Sequence, residues 1–222
     1  MRIQIQKIKK SYRGKPVLLG ADLEAESGSC VGILGCNGSG KSTLLSILAG
    51  VLERDEGEFL LDGSDLFRSP QRRAAAVGYV PQGTPLMEEL TARDNLLLWY
   101  DRKTMETELQ TGVLSLLGIG EFLHMPVRKL SGGMKKRLSI GCAMAGRPPI
   151  LLLDEPTAAL DLIARERIGT YLQEFKRSGG IVLLATHDAM ELALCDRWYI
   201  LKNGVLEPFS YDGDLSELVK RL

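Results

Sequence analysis

The chain has 222 residues, with 28 Lys and Arg against 28 Asp and Glu, a formal net charge of +0, and 45% hydrophobic residues. That length suits one domain with room for a small insertion, and the composition is that of a folded chain rather than a disordered one. The even charge balance argues against a nucleic-acid binder that works through a broad basic face, but it leaves room for a local anion site.

Residues 3–8, 17–26, 30–34 and 58–61 read as strands, with turn signals at Ser27-Gly28 and Asp62-Gly63. A helix interrupts them: it begins after Gly40, carries Leu44, Leu45, Ile47 and Leu48 on its buried side, and stops at Gly50. After a short strand at 77–80, the stretch 83–147 turns helical, with candidate helices at 95–100, 106–117 and 131–145, and is expected to form an inserted helical subdomain. Strand and helix then alternate through strand 150–153, helix 163–176, a stop at Gly179-Gly180, strand 181–186 and a short helix near 189–194. Strands 150–153 and 181–186 are apolar on both faces, which predicts a parallel sheet. The chain closes with a hairpin turning at Asn203-Gly204 and a short helix near 215–219. The expected division is a core of about 1–82 and 148–222 around the insertion at 83–147.

No apolar run approaches the roughly 18 residues a membrane-spanning helix needs, and the first ten residues alternate Ile with Gln and Lys instead of forming a signal peptide. The 4 cysteines are scattered without a C-x-x-C pair, which fits reduced thiols in the cytoplasm.

Gly35-Cys36-Asn37-Gly38-Ser39-Gly40-Lys41-Ser42 satisfies G-x-x-x-x-G-K-[ST], with Thr43 following, between an apolar strand and an amphipathic helix. Glycines at this spacing let the backbone curl so that successive N–H groups face phosphate oxygens. The helix start adds its positive dipole end, the Lys41 ammonium reaches the terminal phosphates, and Ser42 is placed to ligate Mg²⁺. Residues 150–153 lead into Asp154 and Glu155, adjacent carboxylates that leave a strand end in different directions, one suited to hold metal and the other to handle water.

In these residues and their order, the sequence closely resembles the nucleotide-binding subunits of ATP-binding cassette (ABC) transporters, over essentially its whole length. Gly35 to Thr43 looks like the Walker A loop and Asp154-Glu155 like the Walker B pair. Leu130-Ser131-Gly132-Gly133-Met134 resembles the signature motif, with Met134 where the family usually has Gln. Tyr12 is similar to the aromatic that stacks on adenine, Gln82 to the Q-loop glutamine that meets Mg²⁺ and the attacking water, Ala159-Leu160-Asp161 to the D-loop, and His187 in Thr186-His187-Asp188 to the switch histidine. The resemblance implies an α/β P-loop NTPase (RecA-like) core with an antiparallel β subdomain and an inserted α-helical subdomain carrying the signature. It also implies ATP and Mg²⁺ as ligands. Lys41, Gln82, Glu155 and His187 are then the catalytic set, with Gln82 beside Ser42 and Asp154 at the metal. Gly35, Asn37, Gly38, Ser39, Gly40, Lys41, Ser42 and Thr43 join Tyr12 around the nucleotide. Ser131, Gly132, Gly133 and Asp161 reach the nucleotide of a second cassette paired head-to-tail.

Ser131 to Gly133 also read, without the family, as a helix start with a cap and outward N–H groups. The adjacent cations Lys135-Lys136-Arg137 read as a solvated helix surface. His124 carries no motif and reads as structural. The implied partners are a second cassette, in a homodimer or heterodimer, and separate integral-membrane subunits, with the chain peripheral on the inner face of the membrane and no nucleic acid bound. The rival reading is a soluble ABC ATPase of a scaffold complex such as iron–sulfur cluster assembly. With 35 residues after His187, the regulatory barrel of some sugar importers is not expected, which tilts the expectation slightly towards an exporter, and the compact cassette resembles those of bacterial ABC-2-type exporters.

Overall fold

β1 (Arg2–Tyr12) buries Ile3, Ile5 and Ile8, a spacing that strict alternation cannot satisfy, because Ile8 has the wrong parity. The computed structural model, which describes residues 1–157, 160–186, 188–211 and 213, resolves the conflict with a bulge. Lys7 takes a positive φ of 50° and the register against β2 (Lys15–Glu26) shifts between Ile5 and Ile8, returning Ile8 to the core face. β4 (Glu56–Leu61) pairs with the other edge of β1 and answers the bulge with Gly57, at φ 102°; a Cβ there would stand 2.6 Å from the Gln6 carbonyl and 2.7 Å from Ile8 Cα. With β5 (Ser64–Asp65) these strands form an antiparallel sheet in the order β2-β1-β4-β5.

Among the described residues the second sheet has six strands, in the order β10-β9-β3-β8-β7-β6. β3 (Cys30–Leu34), β7 (Ile150–Asp154) and β8 (Ile181–Ala185) are buried along their whole length, as a parallel strand covered on both faces must be. β6 (Val77–Val80) and β9 (Arg197–Lys202) continue the parallel sheet, and β10 (Val205–Phe209) folds back antiparallel on β9 through a turn in which Asn203 and Gly204 both have positive φ.

Alternate residues of the buried strands go to opposite layers. Val31, Ile33, Ile150, Leu152, Ile181 and Leu183 join α1 (Lys41–Ala49) and the antiparallel sheet in one core. Cys30, Leu151, Leu153, Val182 and Leu184 face the second core, built with the helices of the insertion and with α7 (Leu162–Arg177). Here α1 lies between the two sheets, fixed at both ends by left-handed glycines, Gly40 and Gly50.

A helix that sequence reading passed over, α2 (Pro70–Ala76), starts with Ser69 as its cap and Pro70 in its first turn. Between β6 and β7 come α3 (Ala92–Leu97), α4 (Arg102–Thr111), α5 (Val113–Leu116) and α6 (Gly132–Ala143). The single helix expected at 106–117 is broken at Gly112, because the buried Glu108 carboxylate accepts from the Val113 N–H at 2.8 Å and ends the ladder there. α8 (Ala189–Leu192) follows β8 and is shorter than expected. The expected helix near 215–219 and His187 lie outside the described residues. Among the described residues no helix is long and apolar enough to cross a membrane.

Candidate functional site

A cavity of about 480 Å³ opens where β3, β6 and β7 end. The loop after β3 and the first turn of α1 supply Asn37, Gly38, Gly40, Lys41, Ser42 and Thr43, while Gln82, just past β6, and Glu155, just past β7, line the other side. The loop owes its path to glycine: Gly35, Gly38 and Gly40 have φ of 156°, 80° and 109°, and a Cβ on Gly40 would lie 2.9 Å from Val17 Cγ1. Ser39 places its hydroxyl in the buried floor of the loop, without a hydrogen-bond partner among the described residues.

Lys41 is 5% exposed and donates from Nζ to the carbonyls of Gly35 at 2.7 Å and Cys36 at 3.2 Å. Burial holds its ammonium below the usual lysine range, and Glu155, Asp154 and Cys36 oppose that shift. Asp154 is 2% exposed. Burial pushes its carboxyl up, the hydrogen bond from Ser42 pulls it down, Glu155 pushes it up again, and Lys41 and Lys136 pull it down. Glu155 takes a positive φ of 48°, which turns it away from the strand direction of Asp154; its N–H is held by the Ala185 carbonyl at 2.9 Å, and its Oε2 accepts from Gln82 Nε2 at 2.9 Å. Three elements distant in sequence therefore meet: Ser42 touches Asp154, Gln82 touches Glu155, and Lys41 lies between loop and carboxylates.

The other sequence-derived residues stand elsewhere. Tyr12 is 43% exposed at the end of β1, with the Lys10 ammonium 5.8 Å from its ring centroid. Ser131 caps α6, its Oγ accepting from the Met134 N–H at 3.2 Å; Ser131 and Gly132 are exposed and neither they nor Gly133 line the cavity. Asp161 caps α7, accepting from the Ala164 N–H at 2.8 Å, and its Oδ2 lies 3.5 Å from where a Gly133 Cβ would be, so the two helix starts sit side by side. His124 is exposed.

One reading is corrected. Lys135-Lys136-Arg137 is not a solvated surface: Lys136 and Arg137 are buried, and only Lys135 points outward, pairing with Glu88 at 2.7 Å. Arg137 donates to the Leu117 carbonyl at 2.8 Å and Lys136 to the carbonyls of Pro81 and Gln82. The signal was present, since Lys136 stands three residues after Gly133 and four before Ile140 and shares their helix face. Sequence reading also missed Glu191. It is buried, accepts from the Thr157 N–H at 2.7 Å and from the Thr157 hydroxyl, and so ties the turn after β7 to α8. Burial raises its carboxyl above the usual range, against hydrogen bonds from Thr157 and Thr186.

A glycine-built phosphate loop on a parallel sheet, facing a carboxylate pair at a neighbouring strand end, defines a P-loop nucleoside-triphosphate-binding protein. A family model described as "ABC transporter" matches residues 18–158, and the chain belongs to that family. It is 36% identical over 207 residues to the Nod factor export ATP-binding protein I of Sinorhizobium fredii, covering 91% of this chain and 60% of that protein. It is 32% identical over 218 residues to the linearmycin resistance ATP-binding protein LnrL of Bacillus subtilis, covering 96% of this chain and 70% of the relative. The chain thus spans three-fifths to seven-tenths of the length of these relatives. Among solved structures, a dimeric ATP-binding cassette in a post-hydrolysis state with ADP and Pi superposes with a TM-score of 0.79 at 30% identity, over 92% of this chain and 96% of that one.

Proposed function

We propose that this chain is the ATP-binding and ATP-hydrolysing subunit of a membrane transporter, and that two copies close head-to-tail on two nucleotides. The observation that carries the reading is the meeting of Lys41, the Ser42–Asp154 pair and the Gln82–Glu155 pair around one cavity.

Lys41 now spends its ammonium on two carbonyls of its own loop, a placement from which it can turn to the γ-phosphate. The loop N–H groups and Ser39 to Thr43 hold the β- and γ-phosphates, and Tyr12 stacks on the adenine. The donor set fits Mg²⁺: Asp154 and Ser42 offer oxygen only, and a buried carboxylate beside a second carboxylate calls for a cation. Mg²⁺, when bound, would neutralise charge on the β- and γ-phosphate oxygens. Glu155, held by the Gln82 amide, accepts a proton from water as that water attacks the γ-phosphorus. The bond to the β–γ bridging oxygen breaks, and ADP and phosphate result. By the family pattern, His187 would take a γ-phosphate role.

The start of α6, with Ser131, Gly132 and Gly133 beside Asp161, serves the nucleotide of the second copy, because these residues do not line their own chain's cavity. The exposed Leu162 and Ile163 next to Asp161 supply apolar surface for that pairing. The γ-phosphate bridges the two chains, so hydrolysis releases them. We take residues 83–147 as the subdomain that receives the membrane subunit. A groove beside Leu86, Met87, Leu98 and Trp99, with Trp99 67% exposed, suits an amphipathic helix from that partner, which would hold the chain peripherally at the membrane.

Glu155→Gln keeps the hydrogen bond to Gln82 but removes the base. It is expected to bind ATP normally and to lower steady-state turnover by about a thousandfold, within the range of general-base removal. Wild-type turnover in that variant would take Glu155 out of its role.

A further inference from the structure

The three adjacent cations of α6 go to three different places. Lys135 pairs with Glu88 at the surface, Arg137 reaches the Leu117 carbonyl, and Lys136, 4% exposed, donates from Nζ to two consecutive carbonyls, those of Pro81 and Gln82, each at 2.9 Å. These carbonyls belong to the irregular segment that leaves β6 for the insertion. The side chain of Gln82 turns the other way, to Glu155. One residue is therefore gripped from both sides, its carbonyl by α6 and its amide by the residue past β7.

A buried ammonium must be matched by acceptors, and both carbonyls here come from a segment that has no strand or helix ladder of its own to hold it. Ammonium-to-carbonyl bonds are charge-assisted and stiffer than neutral ones. Asp154, Glu155 and Glu191 lie close enough to sustain the charge against burial. A displacement of α6 would drag the 81–82 backbone with it, and the Gln82 amide would move against Glu155.

We propose that Lys136 is a positioning residue for ATP hydrolysis, fixing the Pro81–Gln82 backbone so that Gln82 holds Glu155 in its working orientation. It thereby links the helix that presents Ser131 to the partner's nucleotide with the carboxylate that works on its own. The inference rests on the assignment of Glu155 made above.

The test is steady-state kinetics on the full chain with Lys136→Met, Lys136→Arg, Gln82→Ala and the double variant, alongside Glu155→Gln. Lys136→Met is expected to lower kcat about tenfold or more while KM stays within about threefold, because the nucleotide contacts are untouched. Lys136→Arg, which keeps donors at a similar reach, recovers kcat to within about threefold of wild type. The double variant is no slower than the slower single one, since Lys136 acts through Gln82. Lys135→Met, on the same helix with its surface pair, leaves kcat unchanged. Undiminished kcat in Lys136→Met, losses that multiply in the double variant, or a parallel fall in nucleotide affinity and thermal stability would each overturn the proposal. Should Lys136→Met fail to fold, Lys136→Gln carries the same comparisons. An inactive Glu155→Gln with a fast Lys136→Met removes only the role of Lys136, whereas an active Glu155→Gln removes the reading of the site beneath it.

Discussion

α1 and α6 both begin where the first backbone N–H groups have no partner within their own helix, yet their surroundings differ. At α1, Lys41, Ser42, Asp154, Gln82 and Glu155 converge from three elements, and the lysine is buried and bonded within the loop. At α6, Ser131 and Gly132 are exposed, and the cations of the first turns are committed elsewhere, to Glu88, to the segment after β6 and to Leu117. Gly133 is packed so that a Cβ would meet Ala164 Cβ at 2.7 Å, which keeps α6 close to α7. The contrast teaches that α1 gathers its own lysine, carboxylates and amide around one cavity, while the start of α6 has no such company in its own chain, which is why we propose that it serves the nucleotide of a second copy.

The sharpest way to break the comparison is to damage each helix start separately. Lys41→Met is expected to cost about 2–3 kcal/mol of ATP affinity in the isolated chain, the loss of a charge-assisted contact to phosphate. Ser131→Arg should leave that affinity unchanged, because α6 does not line its own chain's cavity, and should abolish turnover by blocking the partner's nucleotide. Equilibrium dialysis with ATP and a phosphate-release assay separate the two; a weakened monomer affinity in Ser131→Arg would make both starts part of one site.

A smaller effect belongs to Glu191, behind the carboxylate end of β7. Its folded-state carboxyl is raised by burial, so it favours the fold fully below the ordinary glutamate range and loses that contribution as pH rises through the folded value. Glu191→Gln cannot titrate. Relative to wild type it should gain thermal stability between pH 5 and pH 8, at about 2–4 °C for each kcal/mol in a chain of this size. Equal shifts at both pH values in scanning calorimetry would show that the carboxyl does not titrate in the fold.

Much of the phosphate-loop side was legible in the sequence, because its demands are local: glycines at fixed spacing, a lysine at the helix start, an apolar run ending in Asp154-Glu155. β3, β6 and the turn at Asn203-Gly204 were readable for the same reason. What escaped depends on distant partners. The bulge at Lys7 needs Gly57 across the ladder, and the break at Gly112 needs the side chain of Glu108. Cys30 and Cys195, 165 positions apart, bring their sulfurs to 3.5 Å as buried thiols, which no spacing rule announces. The run Lys135-Lys136-Arg137 misled because three charges in a row look solvated until the segment after β6 is seen packed against the helix.

The central claim is that the cavity at α1 is completed by α6 of a second copy. Light scattering on Glu155→Gln, saturated with ATP and Mg²⁺, tests it most directly. Twice the 24.4 kDa of a single chain is expected, falling back to one chain when Ser131→Arg is added to the same molecule. A mass of one chain with nucleotide bound, or a dimer indifferent to Ser131→Arg, would contradict the account.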